Sequence, residues 1–456
     1  MVRDMTTGNP ASLILRFCLP LMAGNLFQQF YNMVDSMVVG RFVGTAALSA
    51  VGSVGALNFL VIGSVIGLCT GLAIPVSQCF GAGDSDRMHR FIANLIYLVT
   101  AIGAVVTLLT FFGCRTLLHL LHTPDDIFAD AYAYISVIFL GIPATILYNT
   151  VASLIRAVGD SKTPLYFLIF SSFVNIGLDL LFVLVFRMGV MGVAVATVIA
   201  QALSGVLELL YLHRNFTTLH LRRADLKFDP DCCKKLLYAG LPMSLQFSIT
   251  AIGSVMLQSC VNELGSQIIA AITIAGKVQL ILVLPAETIG LTMATYCGQN
   301  LGAKRLDRIR TGTWQSLVIA FVYAAAAMTL NWFASRYMLM LFVSRSETEV
   351  LRLGVYFIHK AMWFYPILVI IFVLRNILQG MGFSIHAMTA GVFELAARGV
   401  MGYVFVRRFG FEAACYANPV AWCAADVFLI PMTVYVMHRF RTDPTYLQKR
   451  TKKAYE

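Results

Sequence analysis

The sequence predicts an all-α polytopic membrane protein, with twelve transmembrane helices in two parallel six-helix lobes. Three observations lead there. Of 456 residues, 59% are hydrophobic and only 12% charged, and the mean hydropathy is +0.77, values outside the range of soluble domains. The apolar residues fall into runs of about 20 or more, the length a helix needs to cross roughly 30 Å of hydrocarbon. The second half of the chain also repeats the first.

Taken in order, the runs lie at about 12–39, 46–74, 91–113, 131–153, 164–186, 190–212, 237–261, 268–296, 313–333, 355–378, 385–405 and 413–437. The first begins near Ala11, is too long for the apolar core of a signal peptide and contains Pro20, so it is expected to stay in the mature protein. Span two is followed by Gln78-Cys79-Phe80-Gly81-Ala82, and span eight by Gln299-Asn300-Leu301-Gly302-Ala303. The shared Q-x-x-G-A pattern, at an offset of about 221 residues, marks a tandem duplication. Its small residues suit a tight helix exit, and Gln78, Gly81, Gln299 and Gly302 are candidates for gating turns. Leu19-Pro20-Leu21-Met22 and Leu241-Pro242-Met243 repeat one residue out of step, and Gly189 meets Gly410. Six spans per half return the chain to the side it started from. The repeats are therefore parallel, and in such folds the substrate site lies at the repeat interface.

Residues 1–212 are expected to form the first lobe, 213–236 a basic linker, 237–437 the second lobe and 438–456 a basic tail. A net charge of +11 could indicate a nucleic-acid partner. Instead, roughly 23 of the 34 Lys and Arg fall at the N-terminus, in alternate loops and in the tail, which is the positive-inside asymmetry. Both termini are accordingly placed on the cytoplasmic side of the cell membrane, with the basic clusters on anionic lipid and no nucleic-acid partner. Ten cysteines without C-x-x-C or metal spacing read as reduced apolar residues.

Charged groups inside a span are expensive, and their default interpretation is functional. The first half offers Asp35 in span one, Asn149 in span four, Asn175 and Asp179 in span five, and Thr197 in span six. Asn175 and Asp179, four apart, share a helix face. All five present oxygen, which suits a hard cation such as sodium. Two carboxylates brought together away from water can instead share a proton. The residues thus point to a coupling-ion site for a proton or sodium ion and leave the ion open. No other cofactor or metal is expected.

With the run Asp35-Ser36-Met37-Val38-Val39-Gly40-Arg41-Phe42-Val43-Gly44 and the paired Q-x-x-G-A patterns, the chain resembles the multidrug and toxic compound extrusion (MATE) transporters from about Leu13 to Met437. The resemblance implies a V-shaped pair of lobes and an antiporter that exports amphipathic, often cationic compounds. It implies that Asp35, Asn149, Asn175, Asp179 and Thr197 form the cation site of the N-terminal lobe, with Tyr134 lining the same cavity. One departure stands out. Some members carry a second-lobe cation site with a span-ten Asp and a span-seven Glu, whereas here span ten offers Arg375 and span seven Gln246.

In the second half Glu287, inside span eight, would attract a cationic substrate, or pair with Lys277 or Arg375. Glu394 and Arg398, four apart in span eleven, are expected to pair with each other as a structural element. Met33, Met37, Met256 and Met293 are candidate lining residues, since methionine adapts to varied ligand shapes. The expected function is cation-coupled multidrug efflux by a monomer, with small-molecule substrates and membrane lipid as its partners. A lipid or lipid-linked glycan flippase is the nearest alternative. An enzyme is not expected, because the eight histidines supply no H-E-x-x-H or comparable cluster, and no filter-like loop suggests a channel.

Overall fold

A computed structural model describes residues 4–121, 123–222 and 225–443, and every regular element among them is helical. A chain this apolar must satisfy its backbone hydrogen bonds within each segment, which only helices do one segment at a time. The first half contains α1 (Pro10–Val38), α2 (Thr45–Ser53), α3 (Gly55–Leu72), α4 (Ile74–Ala82), α5 (Ser85–Leu120), α6 (Asp125–Leu140), α7 (Ile142–Ala157), α8 (Lys162–Leu180) and α9 (Gly189–Asn215). The second contains α10 (Pro230–Val261), α11 (Ser266–Gly302), α12 (Leu306–Leu339), α13 (Thr348–Met362), α14 (Tyr365–Gly380), α15 (Ser384–Val400), α16 (Arg407–Phe409) and α17 (Phe411–Thr442).

Ten helical stretches are each long and apolar enough to cross a membrane. Two bent pairs, α6 with α7 at 47° and α13 with α14 at 56°, bring the number to as many as twelve among the described residues. Pro143 and Pro366 open the second helix of each pair, and a proline there removes the N–H that would have continued the first. Large apolar side chains such as Phe112 and Phe333 are about three-quarters exposed, a surface suited to lipid rather than water.

The duplication is written into the backbone. Gly44 and Gly265 (φ 130° and 97°), Gly83 and Lys304 (70° and 58°), and Gly189 and Gly410 (61° and 60°) all have positive φ, and each pair is 221 residues apart. The π-helical turns Leu181–Val185 and Met401–Val406, which extend α8 and α15, recur at the same spacing to within a residue. One expectation changes. Gln78–Ala82 and Gln299–Gly302 are not turns but the last turns of α4 and α11; the chain reverses only at the left-handed residue that follows each.

The chain divides into two compact units. One contains the described residues of Leu19–Ser244, including the whole of 213–222 and 225–236; the other contains Met5–Cys18 and 245–443. The changeovers fall beside Pro20 in α1 and Pro242 in α10. In the first unit α9 packs against α6, α7 and α8, and α3 meets α10 where Gly71 and Gly240 let the backbones touch. In the second, α11 packs against α12, α13 and α14, while α17 packs against α14 and α15.

Candidate functional site

Asp35 stands on the last turn of α1, just before a π-helical turn at Val39–Val43, and Asp179 stands on α8 just before the π-helical turn at Leu181–Val185. Such turns are rare and occur most often at functional sites. Asp179 is fully buried at 0% exposure and Asp35 is half-buried. Their carboxyl groups lie close enough to hydrogen-bond to each other once one carries a proton. No other partner meets either oxygen of Asp179 or Oδ1 of Asp35 among the described residues. Two unit charges at about 4 Å repel by about 4 kcal/mol at an effective dielectric constant of 20. The two acids are therefore costly to ionise together.

Asn175, one turn before Asp179 on the same face, donates through Nδ2 to Thr197 Oγ1 at 3.4 Å, and Thr197 donates in turn to the Val193 carbonyl at 3.0 Å. Asn175 Oδ1 is buried without a partner, as the carboxylate oxygens are. Tyr134 on α6 lies within electrostatic reach of both acids and packs against the Val38, Val39, Val183, Val190 and Val193 cluster. Asn149 is not brought into this group by any described hydrogen bond. It donates to the Thr145 carbonyl one turn back on α7 at 2.8 Å, while Thr145 bonds Gln201 at 2.7 Å. Tyr31 belongs to the site although the sequence argument passed it over; it is within reach of both acids. Its position four residues before Asp35 was the available signal.

Glu208 on α9 was also overlooked. It is fully buried, both its carboxylate oxygens lack a hydrogen-bond partner, and Arg156 and Tyr148 are its charged and polar neighbours. It lies near the end of span six, where an acid looks like a headgroup-level residue.

The remaining expectations are answered unevenly. Glu287 is exposed on α11, within electrostatic reach of Arg375 and without a described ion pair. Met33 and Met37 are exposed, and Met256 is half-buried against Gly399. Met293 is a correction: at 0% exposure it is a core residue and presents no surface to a ligand in this conformation. Gln299 is likewise fully buried, accepting from the Met5 N–H at 2.9 Å, while Asn300 donates to the Met5 carbonyl at 3.1 Å and Arg308 bonds Asn300 and the Gly8 carbonyl. The end of α11 thus clamps the segment that leads into α1. The expected Glu394–Arg398 pair forms, with 3.4 Å between Arg398 Nη2 and Glu394 Oε2, and Arg375 joins it on the other carboxylate oxygen. A cavity of about 450 Å³ beside Tyr356, Lys360, Trp363 and Tyr416 lies apart from every sequence-predicted site residue.

The MatE family model matches the chain twice, over residues 20–181 and 242–404, one match to each repeat. The probable multidrug resistance protein YpnP of Bacillus subtilis is 28% identical over 407 residues, covering 89% of this chain and 90% of its own. The probable multidrug resistance protein NorM of Thermotoga maritima is 22% identical, covering 87% and 86%. A crystal structure of MATE in complex with MaL6 superposes with a TM-score of 0.90 at 20% identity, covering 96% of this chain and 99% of that one. These likenesses carry the fold and the class of activity, which is transport rather than catalysis. With its two MatE matches and its buried acids on bilayer-length helices, this integral membrane protein belongs to the multidrug and toxic compound extrusion family of efflux transporters.

Proposed function

We propose that the chain is a cation-coupled antiporter that exports amphipathic, often cationic compounds across the cell membrane, with Asp35 and Asp179 holding the coupling proton or sodium ion. The observation that carries this is the carboxylate pair itself: two acids from different spans, in contact, with unpartnered oxygens. An arrangement that repels itself when empty binds a cation with gain, and one formed by two separate helices lets that gain depend on conformation. Coupling needs no more than this, because an ion drives a cycle only through its different affinity for the two states. Asn175 and Thr197 supply further oxygen, Tyr31 and Tyr134 border the pair, and Asn149 orders α7 through Thr145.

The names of the curated relatives favour drug efflux over lipid flipping, and the positive-inside bias puts both termini in the cytoplasm. Glu287, Met33 and Met37 are the exposed candidates for substrate contact, and the protein is taken to act as a monomer. The test is ethidium efflux from proteoliposomes under separately imposed proton and sodium gradients, comparing wild type with Asp35→Asn and Asp179→Asn. Gradient-driven efflux in the wild type, lost in both variants at normal folded yield, is the expected result and identifies the ion. Full efflux in either variant refutes the assignment.

A further inference from the structure

The internal repeat allows the coupling site to be located a second time. Thr197 on α9 and Asn418 on α17 are 221 residues apart, as are Gly189 and Gly410 at the starts of those helices. The second unit's counterparts of α1, α8 and α9 are therefore α10, α15 and α17. The offset is 221 residues at Gly189 and Gly410 but 223 at Gly159 and Gly382, ahead of α8 and α15, so the place of Asp35 falls at Met256 or Leu257 and that of Asp179 within 400–402, and none of these residues is an acid. One turn earlier on α15 stands a guanidinium. Arg398 Nε donates to Asn418 Oδ1 at 3.3 Å, as Asn175 donates to Thr197 in the first unit. The Arg398 side chain crosses α10 at Gly253, where a Cβ would come within 3.2 Å of its Cδ and Nη1. A Cβ there would press the arginine aside by a few tenths of an ångström.

A second arginine and two buried acids surround this guanidinium. Arg398 and Arg375 both bond Glu394, and Asp426 on α17 lies within electrostatic reach of Arg375, with neither oxygen hydrogen-bonded. All four residues are at most 7% exposed. Glu287 on α11, exposed, is the remaining acid near Arg375; α10 contributes Gly253 and the neutral Gln246, which accepts from Gln379 of α14 at 2.7 Å. Two fixed positive charges thus meet two buried carboxylates. Arginine does not give up its proton in proteins, so the cation at this place is permanent.

We propose that Arg398 is a tethered cation at the second repeat's counterpart of the coupling-ion site, in the place of Asn175, so that the chain keeps an exchangeable cation site in the first repeat only. The consequence for transport rests on the antiport assignment above, but the ion balance in the second repeat does not. Removing the Arg398 charge leaves two buried carboxylates against one guanidinium. A charge in that position must be matched from the medium, by a proton or a metal cation.

The test is the melting temperature of the purified full-length protein, measured as sodium chloride replaces choline chloride at constant ionic strength, and again as pH is lowered. Asp35→Asn serves as the background that silences the first-repeat site, and it is expected to show no response. Adding Arg398→Gln is expected to create one, a rise of about 3–5 °C for each tenfold increase in the cation that binds. Arg398→Lys in the same background should show none, and Asp426→Asn combined with Arg398→Gln should abolish the new response by restoring balance. Should Arg398→Gln fail to fold alone but fold with Asp426→Asn, charge balance is again the cause. The proposal is overturned if folded Arg398→Gln responds to neither cation nor pH, if both Gln variants fail to fold, or if Asp35→Asn alone responds and loses that response on Asp426→Asn. A wild type that shows no cation response would count against the antiport assignment while leaving the Arg398 comparison intact.

Discussion

Replacing Gly290 by alanine tests how tightly the second unit is built around its charged cluster. Gly290 lies on α11 where α14 crosses, and a Cβ there would stand 2.4 Å from the Phe372 carbonyl oxygen, 2.8 Å from its carbon and 2.8 Å from Asn376 Nδ2. The nearest atoms are backbone, so no rotamer change relieves the contact; α14 must move away by about 1 Å, at a cost of about 1–3 kcal/mol. Alanine recovers about 0.5–1 kcal/mol of backbone entropy, leaving a net loss of up to about 2.5 kcal/mol. For a unit of this size that lowers the melting temperature by up to about 10 °C. Gly276, on the same helix with nothing within 4 Å of its Cβ, is the control; there only the entropy remains, and Gly276→Ala should raise the melting temperature by about 1–3 °C. Thermal unfolding in detergent reads both. Opposite signs support the argument; Gly290→Ala melting at or above wild type refutes it. The outcome bears on function because α14 carries Arg375 to Glu394 on α15.

Tyr134→Phe keeps the ring that packs on the valine cluster and removes a hydroxyl within electrostatic reach of the acids; folded yield should be unchanged while the ion concentration for half-maximal efflux shifts by about twofold to tenfold, the scale of one polar group beside the bound ion. Gln299→Ala removes the acceptor of the Met5 N–H, and hydrogen exchange at that amide should quicken at least about tenfold; unchanged exchange would show that Asn300 and Arg308 hold the segment alone. Asp229, ahead of α10, accepts from the Cys232 thiol at 3.2 Å and from the Asp231 and Cys232 N–H groups, and these bonds, the thiol first, hold its carboxyl below the usual carboxylate range. Because the folded value is the lower one, its stabilisation is present above the unfolded value near about 3.9 and is lost as pH falls through the folded value. Asp229→Ala should therefore cost about 0.5–1 kcal/mol at neutral pH, a modest cap for a partly exposed group, and nothing in strong acid. A deficit that persists in acid would assign the effect to packing.

Much of this was legible without the structure. Bilayer-length apolar runs admit only helices, so the spans followed from composition and length, and the recurrence of Q-x-x-G-A and Gly189/Gly410 announced the duplication. Asp35 and Asp179 stood out because an acid inside such a run is costly enough to require a purpose. What the residues could not convey was orientation. A helix that is apolar all round has no polar stripe to separate its lipid-facing side from its packed side, so nothing in the sequence distinguished Met293, which is wholly buried, from Met37, which is exposed. Helix ends were equally ambiguous, which is how Glu208 passed unnoticed near the limit of its span; Asp426, midway along span twelve, was open to the same argument as Asp35.

Class and the two acids follow from the free energy of placing a given group in hydrocarbon, a property of the residue and its neighbours in the chain, and the duplication from recurrence along it. Which groups meet is a matter of three-dimensional packing. It joined Asp35 to Asp179 across 144 positions, left Asn149 on its own helix, and turned an expected local pair, Glu394 with Arg398, into a balanced cluster with Arg375 and Asp426. Those outcomes depend on helix rotation and crossing, set by contacts as small as the one at Gly253, and no one-dimensional pattern records them.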